Sequence, residues 1–375
     1  MYVLDEDTRA IADLTRKLVN EYQMPLERRI LRGETLTPKD YAPGREAAKK
    51  AGLWALSTPK EHGGAGINLI QRLAITEETH RCLAVLTFGG SALGALYRLQ
   101  GEQKARYLDP ILADKKAYCF AQSEPGGGGD PARSVQTRAR RTPEGWTISG
   151  TKIWISNYKR ADFIFVLART DPDSGAAGIS MFGVEKNNPG VIARPIQMLG
   201  GMVVHELIFD DCRVDELSLV TRQGGGFVAA QQTLSGARIL VAAKALAIAS
   251  RAYEMMVEYS KQRMVFGKLL SELQETQSKI VDSWVELQQN RLLVYATAEK
   301  AMRGEDTRVE AGMVKMTCTE MCSRVLDRAI QIYGAAGCSL ENPLAHWYNH
   351  ERMARIFEGP TEVHKYRVLA RYLLR

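Results

Sequence analysis

Apolar residues recur at spacings of three and four through the first third of the chain. Ile11, Leu14, Leu18 and Tyr22 form one such series, and Leu73, Ile75 and Leu83 lie on later segments of the same character, so the spacing predicts helices between about Glu6 and Asp114. The stretch Pro59-Lys60-Glu61-His62-Gly63-Gly64-Ala65-Gly66 reads as a loop, because proline and three glycines break any helix. From Ala117 to about Val220 the period falls to two. Trp146-Thr147-Ile148-Ser149 and Ile153-Trp154-Ile155-Ser156 alternate, Phe163 to Leu167 is a short apolar run, and Ser180 to Val184 and Leu207 to Phe209 are further candidates. Turn residues such as Pro143-Glu144-Gly145 and Asp171-Pro172-Asp173 separate these segments, predicting a small antiparallel, β-barrel-like domain. Helical spacing returns at Gly226. Ile280, Trp284, Leu287, Val294 and Ala298 predict the core stripe of a long helix. Breaks near Gly267, Gly304 and Gly334 divide the region into antiparallel helices, as in a four-helix bundle. The expected fold is mainly α with a central β domain: an N-terminal helical domain over 1–116, a middle β domain over 117–222 and a helical bundle over 223–375.

Composition narrows the class. A chain of 375 residues exceeds one small core, and 45% hydrophobic with 25% charged residues excludes a disordered protein. The net charge of +7 suits an anionic ligand such as a coenzyme phosphate, and serves solubility equally well. Lys49, Lys50, Arg138, Arg140 and Arg141 lack the aromatic interleaving of a nucleic-acid surface, so no nucleic-acid partner is expected. Cys82, Cys119, Cys212, Cys318, Cys322 and Cys338 show no C-x-x-C spacing; neither zinc nor a disulfide framework is indicated, and Cys318 and Cys322 are expected to pack as small apolar groups. Met1 to Thr8 has no apolar h-region, and no stretch approaches the roughly 20 apolar residues of a membrane span. The expectation is a reducing, cytoplasmic setting without a membrane.

Several signatures are missing. No G-x-G-x-x-G follows a strand, no P-loop occurs, and Gly89 to Gly94 misses the G-x-S-x-G spacing. His346 and His350 stand four apart without the Glu of H-E-x-x-H, so no metal site is expected. Five segments remain distinctive. Ala121-Gln122-Ser123-Glu124-Pro125 leads into Gly126 to Gly129, glycines that let a backbone approach a flat or phosphorylated ligand, or form a flexible surface loop. In Gly150-Thr151-Lys152-Ile153-Trp154-Ile155-Ser156-Asn157, a Trp and a Ser two apart on a strand share one face and can offer an indole plane and a hydroxyl together. Arg263-Met264-Val265-Phe266-Gly267-Lys268, followed by Gln274, offers a guanidinium that can bind a pyrophosphate bidentately beside a Phe that can contact a ring, or simply a solvated Arg at a helix end. Gln331 to Gly337 is a helix end broken by small residues. In Arg355-Ile356-Phe357-Glu358-Gly359-Pro360-Thr361-Glu362-Val363-His364 a carboxylate follows an apolar pair and precedes a helix stop; burial there raises its pKa and suits it to proton transfer.

The order and separation of these segments, with Pro59 to Gly66 and Phe209-Asp210-Asp211-Cys212-Arg213-Val214, resemble the acyl-CoA dehydrogenase family over essentially the whole chain. The resemblance implies an FAD-dependent α,β-dehydrogenation of an acyl-CoA, with Glu358 as the base that removes the α-proton. It implies flavin contacts at Phe120, Gln122, Ser123, Gly128, Gly129, Trp154, Ile155 and Ser156, with Pro360 and Glu362 also near the cofactor. Arg263, Val265, Phe266 and Gln274 match groups that reach the FAD of an adjacent subunit, and Gln331 and Ala335 match adenosine-side contacts. Gly129, Arg238 and Gly359 match substrate positions. The family's layout implies a homotetramer or homodimer, and its usual electron acceptor is an electron-transferring flavoprotein. Gly129 stands where a Ser is usual, Pro360 where a Thr is usual, and Asn349-His350 where many members have Arg-Asp. The Gly-Pro-Thr-Glu-Val-His ending resembles a side branch ending in Gly-Pro-Asp-Glu-Val-His. A reductase or oxidase on the same scaffold, and a non-catalytic subunit of a hetero-oligomer, are the alternatives. Retention of Glu358, Arg263 and Trp154 argues against the last.

Overall fold

The structure, a computed structural model, describes residues 2–374, with the side chains of all of these except Pro131, Leu234 and Ser235. It comprises two compact units: residues 1–54, 66–88 and 235–375 form the first, and residues 55–65 and 89–234 the second.

Helices of at least eight residues are numbered here in chain order. In the first unit α1 (Glu6–Leu18), α2 (Met24–Leu31), α3 (Pro38–Lys50) and α4 (Leu69–Thr79) precede most of α5 (Gly226–Ser260), α6 (Gln274–Met302), α7 (Arg308–Tyr333) and α8 (Pro343–Glu351). Local chemistry marks their ends. Asp5 caps α1 by accepting from the Thr8 N–H at 2.7 Å, Asn68 and Gln71 form a capping box on α4, and Pro343 opens α8 behind an Asn342 cap. One core joins helices from both ends of the sequence: Leu73 of α4 packs with Ala242, Leu246, Ala249 and Met256 of α5, Val294 of α6, Val325 of α7 and Trp347 of α8. Partly buried ion pairs accompany it. Arg251 meets Glu27, and Arg291 meets Glu77 at 2.8 Å, where the Tyr295 hydroxyl also donates. Among the described residues α5 alone is long and apolar enough to cross a membrane by length and composition, contrary to the expectation that no stretch is; more than half of its most apolar window is buried in the fold.

The second unit is built on a sheet of seven strands: β1 (Tyr118–Ala121), β2 (Arg138–Thr142), β3 (Gly145–Ile155), β4 (Phe163–Arg169), β5 (Ile179–Glu185), β6 (Val191–Gln197) and β7 (Val203–Val214). Their order is β1-β4-β2-β3-β7-β6, with β5 on β4. The predicted antiparallel pairing holds for β2–β3, β3–β7, β6–β7 and β4–β5, but β1 runs parallel to β4, so the sheet is mixed. β4 and β5 are buried nearly throughout, which is why they read as apolar runs rather than alternations.

Two predicted stripes differ from the buried faces. On α1 the core face is Thr8, Ala12, Thr15 and Leu18, and Leu14 is exposed; on α6 Leu287, Val294 and Ala298 are buried while Trp284 is exposed. Small and hydroxyl residues fill the close α1 contact, a signal that counting large apolar residues does not register.

Candidate active site

Strain is concentrated where the sequence pointed. Among the described residues, non-glycine residues with φ in the left-handed region include Trp154 at 63°, Phe266 at 49° and Glu358 at 55°, one from each of three motif segments. Such backbones persist only where surrounding contacts over-determine them, and they gather at working sites.

In the first unit the chain leaves α8 through a 3-10 turn, Arg352–Arg355, and bends sharply at Glu358 and Gly359, where φ is 55° and 97°. The Arg238 Nε, from α5, donates to the Glu358 carbonyl at 3.1 Å, and the Lys315 Nζ, from α7, donates to the Gly359 carbonyl at 2.7 Å. The Glu358 Oε2 is buried without a hydrogen-bond partner, and the Glu358 N–H donates no hydrogen bond within the described residues. Burial pushes the Glu358 carboxyl above its ordinary value, against the opposing pull of Arg238 and Lys315. His364 lies fully buried against the Glu358 and Gly359 backbone, neither ring nitrogen reaching a partner at hydrogen-bonding geometry. Burial, then Arg238 and Lys315, pull its pKa to about 4, so the imidazole is neutral near pH 7. The ring needs room on two sides: a Cβ on Gly312 would stand 2.9 Å from Nδ1 and one on Gly359 2.9 Å from Nε2. Pro360 turns the chain onward, its carbonyl accepting from the Val363 and His364 N–H groups at 3.0 and 3.2 Å. Glu362 is exposed beside it.

The other cofactor candidates of this unit gather elsewhere. Arg263, Val265 and Phe266 belong to a two-stranded hairpin, Met264–Val265 against Lys268–Leu269, with Gln274 opening α6 behind it. Phe266, at its tip, is fully exposed. Gln331 and Ala335 are exposed at the far end of α7, where Tyr333 stacks on Tyr259 at 4.1 Å. Lys315 and Gln331 are separated by about 24 Å of helix at 1.5 Å per residue, so the Glu358 turn and the Gln331 end of one chain are distinct places.

In the second unit, Gln122 and Ser123 follow β1 and join β3: the Ile153 N–H donates to the Ser123 carbonyl at 2.9 Å. Phe120 and Gln122 are half-buried, Gly128 and Gly129 lie on the exposed loop, and Ile155 is buried. Trp154 and Ser156 are exposed on either side of Ile155, but not by simple alternation along a strand: the β3–β7 register shifts between Lys152 and Ile155, and Ser156 lies beyond the strand. This bulge re-aims Trp154 outward. Behind it sits a pair to which the sequence reading assigned no role. Lys152, fully buried, donates to the Glu124 Oε1 at 2.7 Å and to the Gln122 carbonyl at 3.1 Å, and Glu124 also accepts from the Gln136 and Thr137 N–H groups. Burial brings the Lys152 pKa down to about 8. Burial pushes Glu124 up, but Lys152 and the two backbone donors outweigh it and hold the carboxyl below its ordinary value.

No sequence motif points to Lys315 or Gly312, and His364 enters only as the end of the Gly-Pro-Thr-Glu-Val-His run, without a role. Their contacts span 44 residues between Lys315 and Gly359, and no local spacing carries them. The five buried cysteines are unpaired, and His346 and His350 are engaged with the Leu340 carbonyl and Glu351; among the described residues no metal-binding cluster occurs.

Comparison with known proteins gives a consistent result. Models of the acyl-CoA dehydrogenase N-terminal, middle and C-terminal domains match residues 5–115, 119–212 and 224–373. The short-chain specific acyl-CoA dehydrogenase of Homo sapiens mitochondria is 36% identical over 86% of this chain and 80% of its own. The 3-(aryl)acrylate reductase of Clostridium sporogenes is 34% identical over 88% of this chain and 90% of its own. The structure of butyryl-CoA dehydrogenase from Megasphaera elsdenii superimposes with a TM-score of 0.87 at 29% identity, covering 100% of both chains.

Proposed function

Since the chain belongs to the acyl-CoA dehydrogenase family, we propose that it forms an α,β-double bond in an acyl-CoA thioester, with Glu358 removing the α-proton. The observation that carries this reading is the setting of Glu358: a buried carboxyl oxygen without a partner, on a left-handed backbone whose N–H is uncommitted. A carboxyl raised by burial holds a proton more firmly than one in water, which brings it toward the range a general base needs. The free Glu358 N–H is the donor for the thioester carbonyl oxygen, where negative charge gathers as the α-C–H bond breaks. Arg238 and Lys315 keep the two carbonyls of the turn occupied, so that both the N–H and the carboxyl stay available.

Residues within each unit suit FAD, and when bound it supplies the acceptor for the β-hydrogen and its electron pair. Trp154 and Phe266 are large apolar side chains held outward on strained backbone, an arrangement suited to covering a flat ring system. Gln122 and Ser123, joined to β3 next to Trp154, are proposed flavin contacts, as are Phe120, Gly128, Gly129, Ile155 and Ser156 of the same unit; Pro360 and Glu362, next to Glu358 in the first unit, are proposed for the cofactor as well. Arg263, Val265, Phe266 and Gln274 serve the FAD of a second copy, and Gln331 and Ala335 contact the adenosine side of the cofactor. The assembly proposed is therefore a homodimer or homotetramer. Gly129, Arg238 and Gly359 are proposed to contact the acyl-CoA. Electron-transferring flavoprotein is the proposed electron acceptor, and the cytoplasm the proposed setting, which suits six unpaired cysteines.

A second reading is the same chemistry run backward. The 34% identity to a 3-(aryl)acrylate reductase favours it, because the groups that take an α-proton also return one.

The test is FAD uptake followed by anaerobic addition of acyl-CoAs of varied length and branching. Dehydrogenation predicts a yellow protein bleached by at least one of them. Reduction predicts instead that chemically reduced protein is re-oxidised by an enoyl-CoA while no saturated acyl-CoA bleaches the oxidised form. A protein that takes up no FAD contradicts both.

A further inference from the structure

Glu358 is unusual in what does not hold it. Its Oε2 is buried with no partner, so no hydrogen bond to that oxygen fixes the direction in which the carboxyl points. Direction must come from the backbone, and that backbone is a disfavoured one: two consecutive left-handed residues, Glu358 and Gly359, the first carrying a side chain.

Two cationic side chains from two different helices clasp this turn, one per carbonyl. Arg238 Nε holds the Glu358 oxygen, and Lys315 Nζ holds the Gly359 oxygen at 2.7 Å. Lys315 is the more telling of the two. It is fully buried, and among the described residues it makes no ion pair; its hydrogen bond goes to a main-chain oxygen. Burying an ammonium on a neutral carbonyl is costly, and core packing needs no charge. Beneath the same peptide, His364 fills the space left by Gly312 and Gly359, so the turn is blocked from below while Lys315 anchors its carbonyl.

We propose that Lys315 is a positioning residue for Glu358: by anchoring the Gly359 carbonyl it imposes the left-handed turn that aims the Glu358 carboxyl and N–H, and when protonated it places a positive charge beside the base. This rests on the reading of Glu358 as the base. The charged and titratable groups around the turn are Arg238 from α5, Lys315 and Glu320 from α7, and Glu362 and the neutral His364 from the segment after Glu358. Removing the Lys315 charge leaves Glu358 with Arg238 as its principal cationic neighbour, so its proton is held more tightly and the acid limb of proton abstraction moves to higher pH.

The experiment follows exchange of the α-deuterium of an acyl-CoA with water, across pH, in the protein loaded with chemically reduced FAD, which cannot accept the β-hydrogen. This reads proton abstraction without turnover. The variants are Lys315→Met, which loses both donor and charge, and Lys315→Gln, which keeps an N–H donor but no charge; melting temperature is followed alongside. The expected result is exchange slowed by about tenfold or more in Lys315→Met, the scale that small misplacements of a reacting group produce. Lys315→Gln should be slowed less, and the acid limb should move to higher pH in both. If Lys315→Met does not fold, Lys315→Gln alone decides through its limb. Rates and limbs that match the parent, or a rate loss with an unmoved limb that simply follows melting temperature, would overturn the proposal. Glu358→Gln separates the two levels. If it exchanges like the parent, the base has been misidentified; if it is inert while the Lys315 variants behave as parent, only the positioning role fails.

Discussion

Replacing Lys152 by Met tests whether the buried charge pair holds the Gln122–Ser123 segment in place. In the parent the ammonium is completely enclosed and donates to Glu124 and to the Gln122 carbonyl, while the Glu124 side chain is only 6% exposed. Methionine matches the length but leaves the carboxylate with two backbone donors and no counter-charge, and leaves the Gln122 carbonyl without its Lys152 donor. Removing one member of such a pair costs about 3–5 kcal/mol, a fall in melting temperature on the order of 10 °C for a protein of this kind. The parent also has a pH signature. With the Lys152 pKa lowered from 10.5 to about 8, the unfolded chain holds the proton in the interval where the folded one has released it, so stability rises with pH between those values, by about 3 kcal/mol in all. The Met variant should lack that rise. Removing both charges, as Lys152→Met with Glu124→Gln, should recover much of the loss, because a well-packed neutral pair is often as stable as an ionic one. Urea unfolding from pH 7 to 10, with bound flavin measured after gel filtration, provides the assay. A single variant within about 1 kcal/mol of the parent, or a double variant no better than the single, would refute the reasoning.

Gly312→Ala places a methyl 2.9 Å from the His364 Nδ1, so it should destabilise by about 1–3 kcal/mol, whereas helix propensity alone would stabilise by up to about 1 kcal/mol; adding His364→Ala should reverse the sign of its effect. The His364 pKa lies near 4 against 6.5 when unfolded, so the unfolded chain binds the extra proton and stability falls as pH drops through that interval, by up to about 3 kcal/mol. Unfolding of His364→Phe at pH 7 and pH 5 should differ less than in the parent. Phe266→Ser, at a fully exposed tip, should alter urea unfolding of the chain by no more than about 0.5 kcal/mol, yet lower FAD retention on gel filtration. Unchanged FAD content would remove Phe266 from the proposed cofactor site.

The parts of this fold that were legible in the sequence are those where one residue type repeats on one face. The breaks at Gly304 and Gly334 fall where helices end, and Phe163 to Leu167 lies within β4. Arg138–Thr142 carries so many charges that its strand pairing is invisible to apolar patterning, and Val191–Gln197 is an edge strand holding Pro195. Helix α1 hides its contact face behind threonines and an alanine. Trp154, Phe266 and Glu358 were reached through motif order, but their shared left-handed backbone could not be read from residue type: at Phe266 it belongs to the tight two-residue turn of a hairpin, and at Glu358 to a turn held by Arg238 and Lys315, both distant in sequence. Lys315 shows this most clearly. It sits inside an ordinary amphipathic helix, and only folding brings its ammonium to a carbonyl 44 residues away.

The most direct test of the central claim is the rate at which an acyl-CoA bleaches the FAD-loaded protein in a single anaerobic turnover, compared between the parent and Glu358→Gln at equal flavin content. The amide keeps the shape of the side chain and removes its basicity. A loss of about 10²–10⁴-fold is predicted, the range that a positioned general base contributes. A Glu358→Gln protein that bleaches at the parental rate with its full flavin content would contradict the account.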